Sequence, residues 1–436
     1  MLGYAALLAA IAGSERRYRA IANGNILLAL ACTAVALLAC EWAARVITRD
    51  RVRTFPRSVV TRTATSEYDV EMKTNRDGFR DAEHERAKPA GTVRLAVLGD
   101  SFVVGSGVAF ESIFTSRLAA AIARRDSIAA AAASDDEPRI EVLNFGVSGT
   151  GPLHAARVWR RFASAYDPDV VLVCVYAGND ASDALREASE TPPRFALAAL
   201  AGEAVARWRP VRGAGAGAGA GAGDGAASGG WNAFGGENPA SLDALLRAAR
   251  ERGVSETEVR ARLAAIPEPL VADALAFRSN PFNLAEAVLD PEAMIENLLL
   301  EGDTMERGWR ATEDALGALH DEIARTGATM VLVGIPAGVQ VSERYWWATH
   351  LGLVLDRRIL VRAPFQDRLA KFAAREGVAL VDLLPTLRSA GGDSGAPLYF
   401  EQDGHWNARG HEVAAHLIAA ALRAGGVAGA SRSAGR

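Results

Sequence analysis

Apolar positions follow two rhythms along this chain. Short continuous runs alternate with longer segments in which apolar residues return every three or four positions. The runs are Val93–Gly99, Ile140–Gly146, Asp169–Gly178, Ala328–Pro336 and Val378–Leu384. Short, unbroken apolar stretches of this kind mark strands buried on both faces of a parallel sheet. Between them, Phe110–Arg125, Leu153–Tyr166, Glu306–Thr326 and Arg362–Glu376 carry helical periodicity, and a closing helix is predicted from Trp406 through Leu422. Alternating β and α units predict a parallel sheet with helices on both faces. Ligands of such sheets bind beyond the C-terminal strand ends. That rule gathers Ser101, Gly146–Gly151, Gly178–Asp180 and the loop after Pro336 on one rim.

The rhythm is lost from about Ala181 to Asp303. Residues 183–303 therefore read as an insertion, either a cap or a partner surface, because long irregular loops are usually functional or disordered. It contains the Gly-Ala tract Gly213–Gly223, a flexible linker by composition. The remaining divisions are a lead-in over 51–92, an α/β domain in two parts over 93–182 and 304–425, and a flexible tail over 426–436.

Residues 1–50 carry the apolar segment Asn25–Cys40. A bilayer-spanning helix needs about 20 apolar residues, so this run is somewhat short. Three readings compete: a membrane anchor, a cleaved signal peptide, and a lipoprotein signal ending at Cys40. Arg16, Arg17 and Arg19 precede the segment, and Arg45, Arg49, Arg51, Arg53 and Arg57 follow it, so charge leaves the orientation undecided. The three cysteines imply no disulfide framework. A net charge of -4 gives no electrostatic footprint for nucleic acid.

Each strand end on the rim carries an unusual cluster. Gly99-Asp100-Ser101-Phe102 follows the first strand, Asn144-Phe145-Gly146-Val147-Ser148-Gly149 closes the second, and Gly178-Asn179-Asp180 follows the third. Asp403-Gly404-His405-Trp406 lies near the C-terminus. A serine hydroxyl needs a base within hydrogen-bond reach to become a nucleophile. His405 is the candidate base. Asp403 projects to the same side if the segment is extended, where it can orient the imidazole. The Ser101 amide, the Gly149 amide and the Asn179 side chain are candidate oxyanion donors. Ser148, His411 and His416 are rivals, though Thr150 breaks the Gly-x-Ser-x-Gly pattern around Ser148. Trp346, Trp347 and His154 are candidate substrate contacts. The His and Cys spacing fits no zinc site and the glycine-rich loops lack a phosphate-binding lysine, so no metal and no cofactor are expected.

The four clusters, in this order, resemble those of the SGNH (GDSL-like) hydrolases, of the membrane-tethered bacterial type. The lead-in Asn75-Arg76-Asp77-Gly78-Phe79-Arg80-Asp81 is similar to one found there. The resemblance spans about 70–182 and 304–423. It implies a flavodoxin-like three-layer α/β/α fold and a serine esterase or acyl-transfer activity. It also implies Ser101 as nucleophile, Asp403 and His405 as the rest of a triad, and Gly149 and Asn179 in the oxyanion hole. Many members space acid and base as Asp-x-x-His. The shorter Asp-x-His-Trp form here is similar to relatives in polysaccharide O-acetylation, which points to an acylated glycan. The implied location is extracytoplasmic (periplasmic), tethered to the membrane. Two other readings stand beside this one: a non-catalytic carbohydrate-binding or assembly factor, and a lipase or phospholipase.

Overall fold

The computed structural model describes residues 14, 30, 32–44, 52–123, 139–189, 238–392 and 395–425. The chain divides into two units, 1–51 with 190–220, and 52–189 with 221–436. In the first, residues 32–44 are helical and leave Val35, Leu37, Leu38 and Trp42 exposed. Among the described residues no helix is long and apolar enough to cross a membrane. Part of the apolar segment Asn25–Cys40, the tract Gly213–Gly223 and the tail 426–436 lie outside the described residues.

The second unit begins with an antiparallel hairpin, β1 (Val60–Ala64) and β2 (Asp69–Lys73). The five apolar runs then form one parallel sheet: β3 (Thr92–Gly99), β4 (Arg139–Gly146), β5 (Val170–Tyr176), β6 (Thr329–Ile335) and β7 (Ala379–Asp382). The spatial order is β4-β3-β5-β6-β7, the flavodoxin-like arrangement. Side chains alternate across the sheet as a two-residue period requires. Val93, Leu95 and Val97 of β3 pack with Phe114, Leu118, Ile418 and Leu422 on one face. Ala96 and Leu98 pack with Trp159, Trp309, Leu316 and Phe365 on the other. The chain leaves β3 for β4 on one side and returns to β5 on the other. The order therefore reverses between the C-terminal ends of β3 and β5, where Ser101 and Asn179 follow directly.

Several segments differ from the pattern read in the sequence. The helix predicted from Phe110 opens with the 3-10 turn Phe110–Ser112 and is α-helical only from Phe114. The helix predicted over Leu153–Tyr166 stops at Arg161, because Phe162 leaves helical geometry (φ -130°, ψ -62°) to bury its ring against Phe79. The described part of residues 183–303 contains two kinds of structure. Helix Asp180–Ser189 lies against helix Gly302–Arg325, so closely that a Cβ on Gly308 would stand 2.4 Å from the Ala181 carbonyl oxygen. Helix Ala293–Leu299 joins the main core through Ile295 and Leu298. Helices Leu242–Arg252 to Pro281–Leu289 instead close a small core of their own around Leu245, Val259, Leu284 and Val288.

The lead-in binds the sheet top together. Asn75 Oδ1 accepts from the Asp77 and Phe79 amides, and Asp77 accepts from the Tyr166 hydroxyl at 2.7 Å. Phe79 is fully buried against Phe145 and Phe162. Arg80 is buried and donates to the carbonyls of Gly105 at 2.5 Å and Val108 at 2.6 Å. Burial lowers its pKa to about 10, which leaves it charged at neutral pH.

Gly308 makes a sharp test of this packing. In an exposed helix interior, Gly→Ala gains about 1 kcal/mol. Here the added methyl meets the backbone at Ala181. Gly308→Ala is expected to destabilise the protein by about 1–3 kcal/mol, read as a lowered thermal midpoint. A raised midpoint would show that the two helices separate at no cost.

Candidate active site

Ser101 opens a four-residue helix, Ser101–Val104, directly after β3. Asp100 caps that helix by accepting from the Phe102 amide at 3.0 Å. As the first helical residue, Ser101 has an amide with no partner inside the helix. The turn is tight because β3 and β4 meet it with glycines. A Cβ on Gly146 would stand 2.6 Å from the Val104 nitrogen.

His405 arrives from the other end of the chain. Tyr399 and Trp406 pair as an isolated antiparallel bridge, and Gly404 in the loop between them takes φ +83°. Asp403–Trp406 is thus non-helical, and helix Ala408–Ala424 starts only after the Asn407 cap. His405 Nε2 lies 2.7 Å from Ser101 Oγ, and its Nδ1 is hydrogen-bonded to Asp403 Oδ1. Phe102 supports the imidazole, with ring centroids 5.0 Å apart, and the fully buried Trp406 packs edge-on to Phe102. Serine, histidine and aspartate therefore stand in one hydrogen-bonded chain. Such a chain can move a proton off a hydroxyl while the carboxylate balances the imidazolium.

Electrostatics favours that task. Burial works to lower the His405 pKa, but the Asp403 charge and hydrogen bond outweigh it and leave the pKa raised. Burial works to raise Asp403, but the His405 charge and the hydrogen bonds from His405 and Tyr68 hold it below its ordinary value. Two other buried carboxyls behave in the opposite way. Burial raises Asp100 to about 6, and raises Asp180 well above the usual range with the Asp100 charge adding to it. Each gives one oxygen to a backbone amide, Asp100 to Phe102 and Asp180 to Tyr176, while the other oxygen meets no partner among the described residues.

The candidate oxyanion donors lie on the neighbouring strand ends. Gly149 takes φ +66° in an exposed turn after β4, with nothing within 4 Å of an added Cβ, and its carbonyl accepts from Arg53 and Arg186. Asn179 is half-buried just before helix Asp180–Ser189, and its carbonyl accepts from the Asp183 amide and the Ser182 hydroxyl.

Other sequence candidates are drawn into packing. His154 is buried, with Nε2 3.0 Å from the Arg53 carbonyl oxygen, and burial pushes its pKa down to about 4. It ties the lead-in to helix Pro152–Arg161. Trp346 donates to the Val339 carbonyl at 3.0 Å and packs on the main core, while Trp347 packs into the small helical core with Leu351 and Leu353. His411 is buried beneath Trp406 and accepts from the Phe114 amide; burial takes its pKa down to about 3. It is held neutral as a link between two helices. His416 is exposed, and Ser148 is half-buried. Among the described residues no group of His, Cys, Asp and Glu is placed to hold a metal ion.

Sequence reasoning missed the groups that surround the acid. Asp403 Oδ2 accepts from Tyr68 Oη at 2.8 Å and, at 3.4 Å, from Asn280 Nδ2. Asn283 donates to the Gln402 carbonyl at 2.8 Å. No local pattern marks these residues; only the lead-in and the insertion, as segments without assigned work, hinted at them.

Residues 297–435 match the family described as an SGNH hydrolase-like domain, acetyltransferase AlgX. That stretch holds Asp403 and His405. No curated protein matches the chain. Among solved structures, a mutant of Axe2, an acetylxylan esterase from Geobacillus stearothermophilus, is 11% identical with a TM-score of 0.35, covering 81% of this chain and 100% of that one. TesA is 13% identical with a TM-score of 0.34, covering 76% and 98%. The acetyl xylan esterase AlAXEase is 9% identical with a TM-score of 0.33, covering 76% and 99%. At these values the overlap adds nothing to the strand order already described.

The raised His405 pKa has a kinetic signature. The neutral imidazole is the form that accepts a proton, so reactivity of Ser101 is expected to rise with pH through a limb above the ordinary histidine value of about 6.5. Asp403→Asn is expected to lower that reactivity by about 10⁴-fold, measured as the rate of fluorophosphonate labelling. A limb near pH 4, or an unchanged rate in Asp403→Asn, would contradict the arrangement.

Proposed function

We propose that this SGNH hydrolase-like chain is a serine-dependent acyl-transfer enzyme that removes or transfers O-acyl groups, acetyl above all, on a polysaccharide. One observation carries the reading: the hydrogen-bonded chain Ser101–His405–Asp403 at the C-terminal rim of the sheet, where the strand order reverses. The family matched over 297–435, described by an acetyltransferase, supports the choice of acyl group; the glycan rests on the resemblance of the Asp403-Gly404-His405-Trp406 form.

The proposed mechanism builds on that hydrogen-bonded chain. His405 Nε2 takes the Ser101 proton as Oγ attacks the ester carbonyl. The developing oxyanion is met by the amides of Ser101 and Gly149 and the side-chain amide of Asn179. Such donors act on charge that appears only in the transition state, so they accelerate the chemical step. Collapse of the tetrahedral intermediate breaks the ester bond, and His405 returns the proton to the leaving sugar hydroxyl. The acyl group now sits on Ser101. His405 then deprotonates a water, giving hydrolysis, or a second sugar hydroxyl, giving transfer. Asp403 orients the ring throughout and stays ionised.

The catalytic domain is further proposed to work outside the cytoplasm, tethered by the N-terminal segment. The exposed Val35, Leu37, Leu38 and Trp42 of helix 32–44 support that placement. Fractionation of cells expressing the full chain, with protease protection of intact spheroplasts, tests it. Recovery of the chain in the cytosol alone would refute it.

The central test is fluorophosphonate labelling of the full chain in detergent, with mass spectrometry of the adduct, beside release of acetate from acetylated oligosaccharides. Labelling at Ser101 is expected, absent in Ser101→Ala and His405→Ala. Asn179→Ala is expected to lower kcat by roughly 10²–10³-fold. A folded chain that takes no label would favour a carbohydrate-binding role. A preference for long acyl chains over acetyl would favour a lipase.

A further inference from the structure

We propose that Tyr68 and Glu67, in the turn between β1 and β2, are positioning residues for the Ser101–His405–Asp403 chain. The inference rests on the function proposed above. It extends the chain of hydrogen bonds to a fourth side chain supplied by the lead-in.

The contacts are specific to the acid loop. Glu67 accepts from three successive amides: those of Glu401 at 2.7 Å and Gln402 at 3.0 Å on Oε1, and that of Asp403 at 2.8 Å on Oε2. A carboxylate against consecutive N–H groups fixes the path of the backbone that carries it. The next residue, Tyr68, donates its hydroxyl to Asp403 Oδ2 at 2.8 Å, while Oδ1 holds His405. The Tyr68 ring also packs on Phe400, with centroids 5.0 Å apart.

The turn is itself held in place. Thr65 Oγ1 accepts from the amides of Glu67 and Tyr68, and the Ser66 amide donates to the Arg278 carbonyl at 2.7 Å. Gly107, just past the Ser101 helix, takes φ +82°, and a Cβ there would stand 2.6 Å from Phe400 and 2.9 Å from Tyr68. One turn thus touches the acid loop and the loop that follows the nucleophile. Asn283, from the insertion, donates to the Gln402 carbonyl.

Tyr68 has an electrostatic part to play as well as a steric one. Burial and the Asp403 charge raise its pKa, so its hydroxyl is always a donor. That donor stabilises the Asp403 carboxylate most when His405 is neutral and the carboxylate charge is uncompensated. Once His405 is protonated, the imidazolium does much of that work. Removing the hydroxyl therefore raises the proton affinity of the His405–Asp403 pair, and the acid limb of activity moves to higher pH. Asp100 from the start of the Ser101 helix, Glu67 in the turn and His411 from the closing helix also face the pair. Tyr68→Phe leaves all three in place, so the shift reads the hydroxyl alone.

The experiment uses the full chain in detergent, with wild type, Tyr68→Phe and Glu67→Gln compared by thermal midpoint, by labelling at Ser101, and by kcat and KM for an aryl acetate against pH. Tyr68→Phe keeps the ring against Phe400 and is expected to fold and to label. Its kcat is expected to fall roughly tenfold with KM nearly unchanged, because misaligned reacting groups lose rate steeply. Its acid limb is expected to move up by about 0.5–1 pH unit. Glu67→Gln keeps an acceptor for only part of the three amides and removes a charge beside Asp403, so its kcat is expected to fall and its limb to move down, opposite to Tyr68→Phe. An unmoved limb and unchanged kcat in Tyr68→Phe would overturn the proposal, and so would a lowered thermal midpoint with an unmoved limb. Wild type that neither labels nor turns over would instead remove the functional reading beneath it.

Discussion

The close approach of the Ser101 helix to the tips of β3 and β4 is the constraint from which the site follows. Gly99 and Gly146 permit it: a Cβ on the first would stand 2.6 Å from Val103, and on the second 2.6 Å from the Val104 nitrogen. Asn144 then locks the contact, with Nδ2 donating to the Val103 carbonyl at 2.7 Å and Oδ1 accepting from the Gly146 amide. Arg80 ties the loop beyond to the lead-in through the Gly105 and Val108 carbonyls. With that helix fixed, Ser101 has one place to be, and Phe102 offers one surface to the His405 ring.

The same rim shows how surroundings decide what a buried carboxyl does. Asp403, Asp100 and Asp180 are all buried. Asp403 collects a histidine and a tyrosine hydroxyl, and its charged form is favoured. Asp100 and Asp180 each have one amide donor and one oxygen without a partner among the described residues, and burial shifts both toward the neutral form, the Asp100 charge adding to the shift of Asp180. Desolvation acts on all three alike. The number and charge of the donors sets the sign.

The insertion and the lead-in both reach the acid loop. Residues 400–405 receive Glu67 and Tyr68 from the lead-in and Asn280 and Asn283 from the insertion. The small helical core that carries Asn280 and Asn283 is also where Trp347 packs. An aromatic pair that a sequence would offer as a sugar platform thus joins the insertion to the sheet.

The five strands, the helices between them and the four chemical clusters were legible in the sequence because they depend on neighbours close in the chain. Val93–Gly99 could be read as a buried strand from its own apolar run, and Ser101 as a strand-end residue from its place after it. The need for a non-helical Asp403–Trp406 followed from the two-residue spacing and Gly404. Tyr68 and Asp403, by contrast, are 335 residues apart and nothing local marks either for the other. His154, His411, Trp346 and Trp347 had the right chemistry, and only the tertiary structure turned them inward to the Arg53 carbonyl, the Phe114 amide, the Val339 carbonyl and the helical core. Periodicity encodes which face of an element is apolar. It does not encode which surface that face will meet, and at this site the meeting of surfaces decides which polar groups are left to face Ser101.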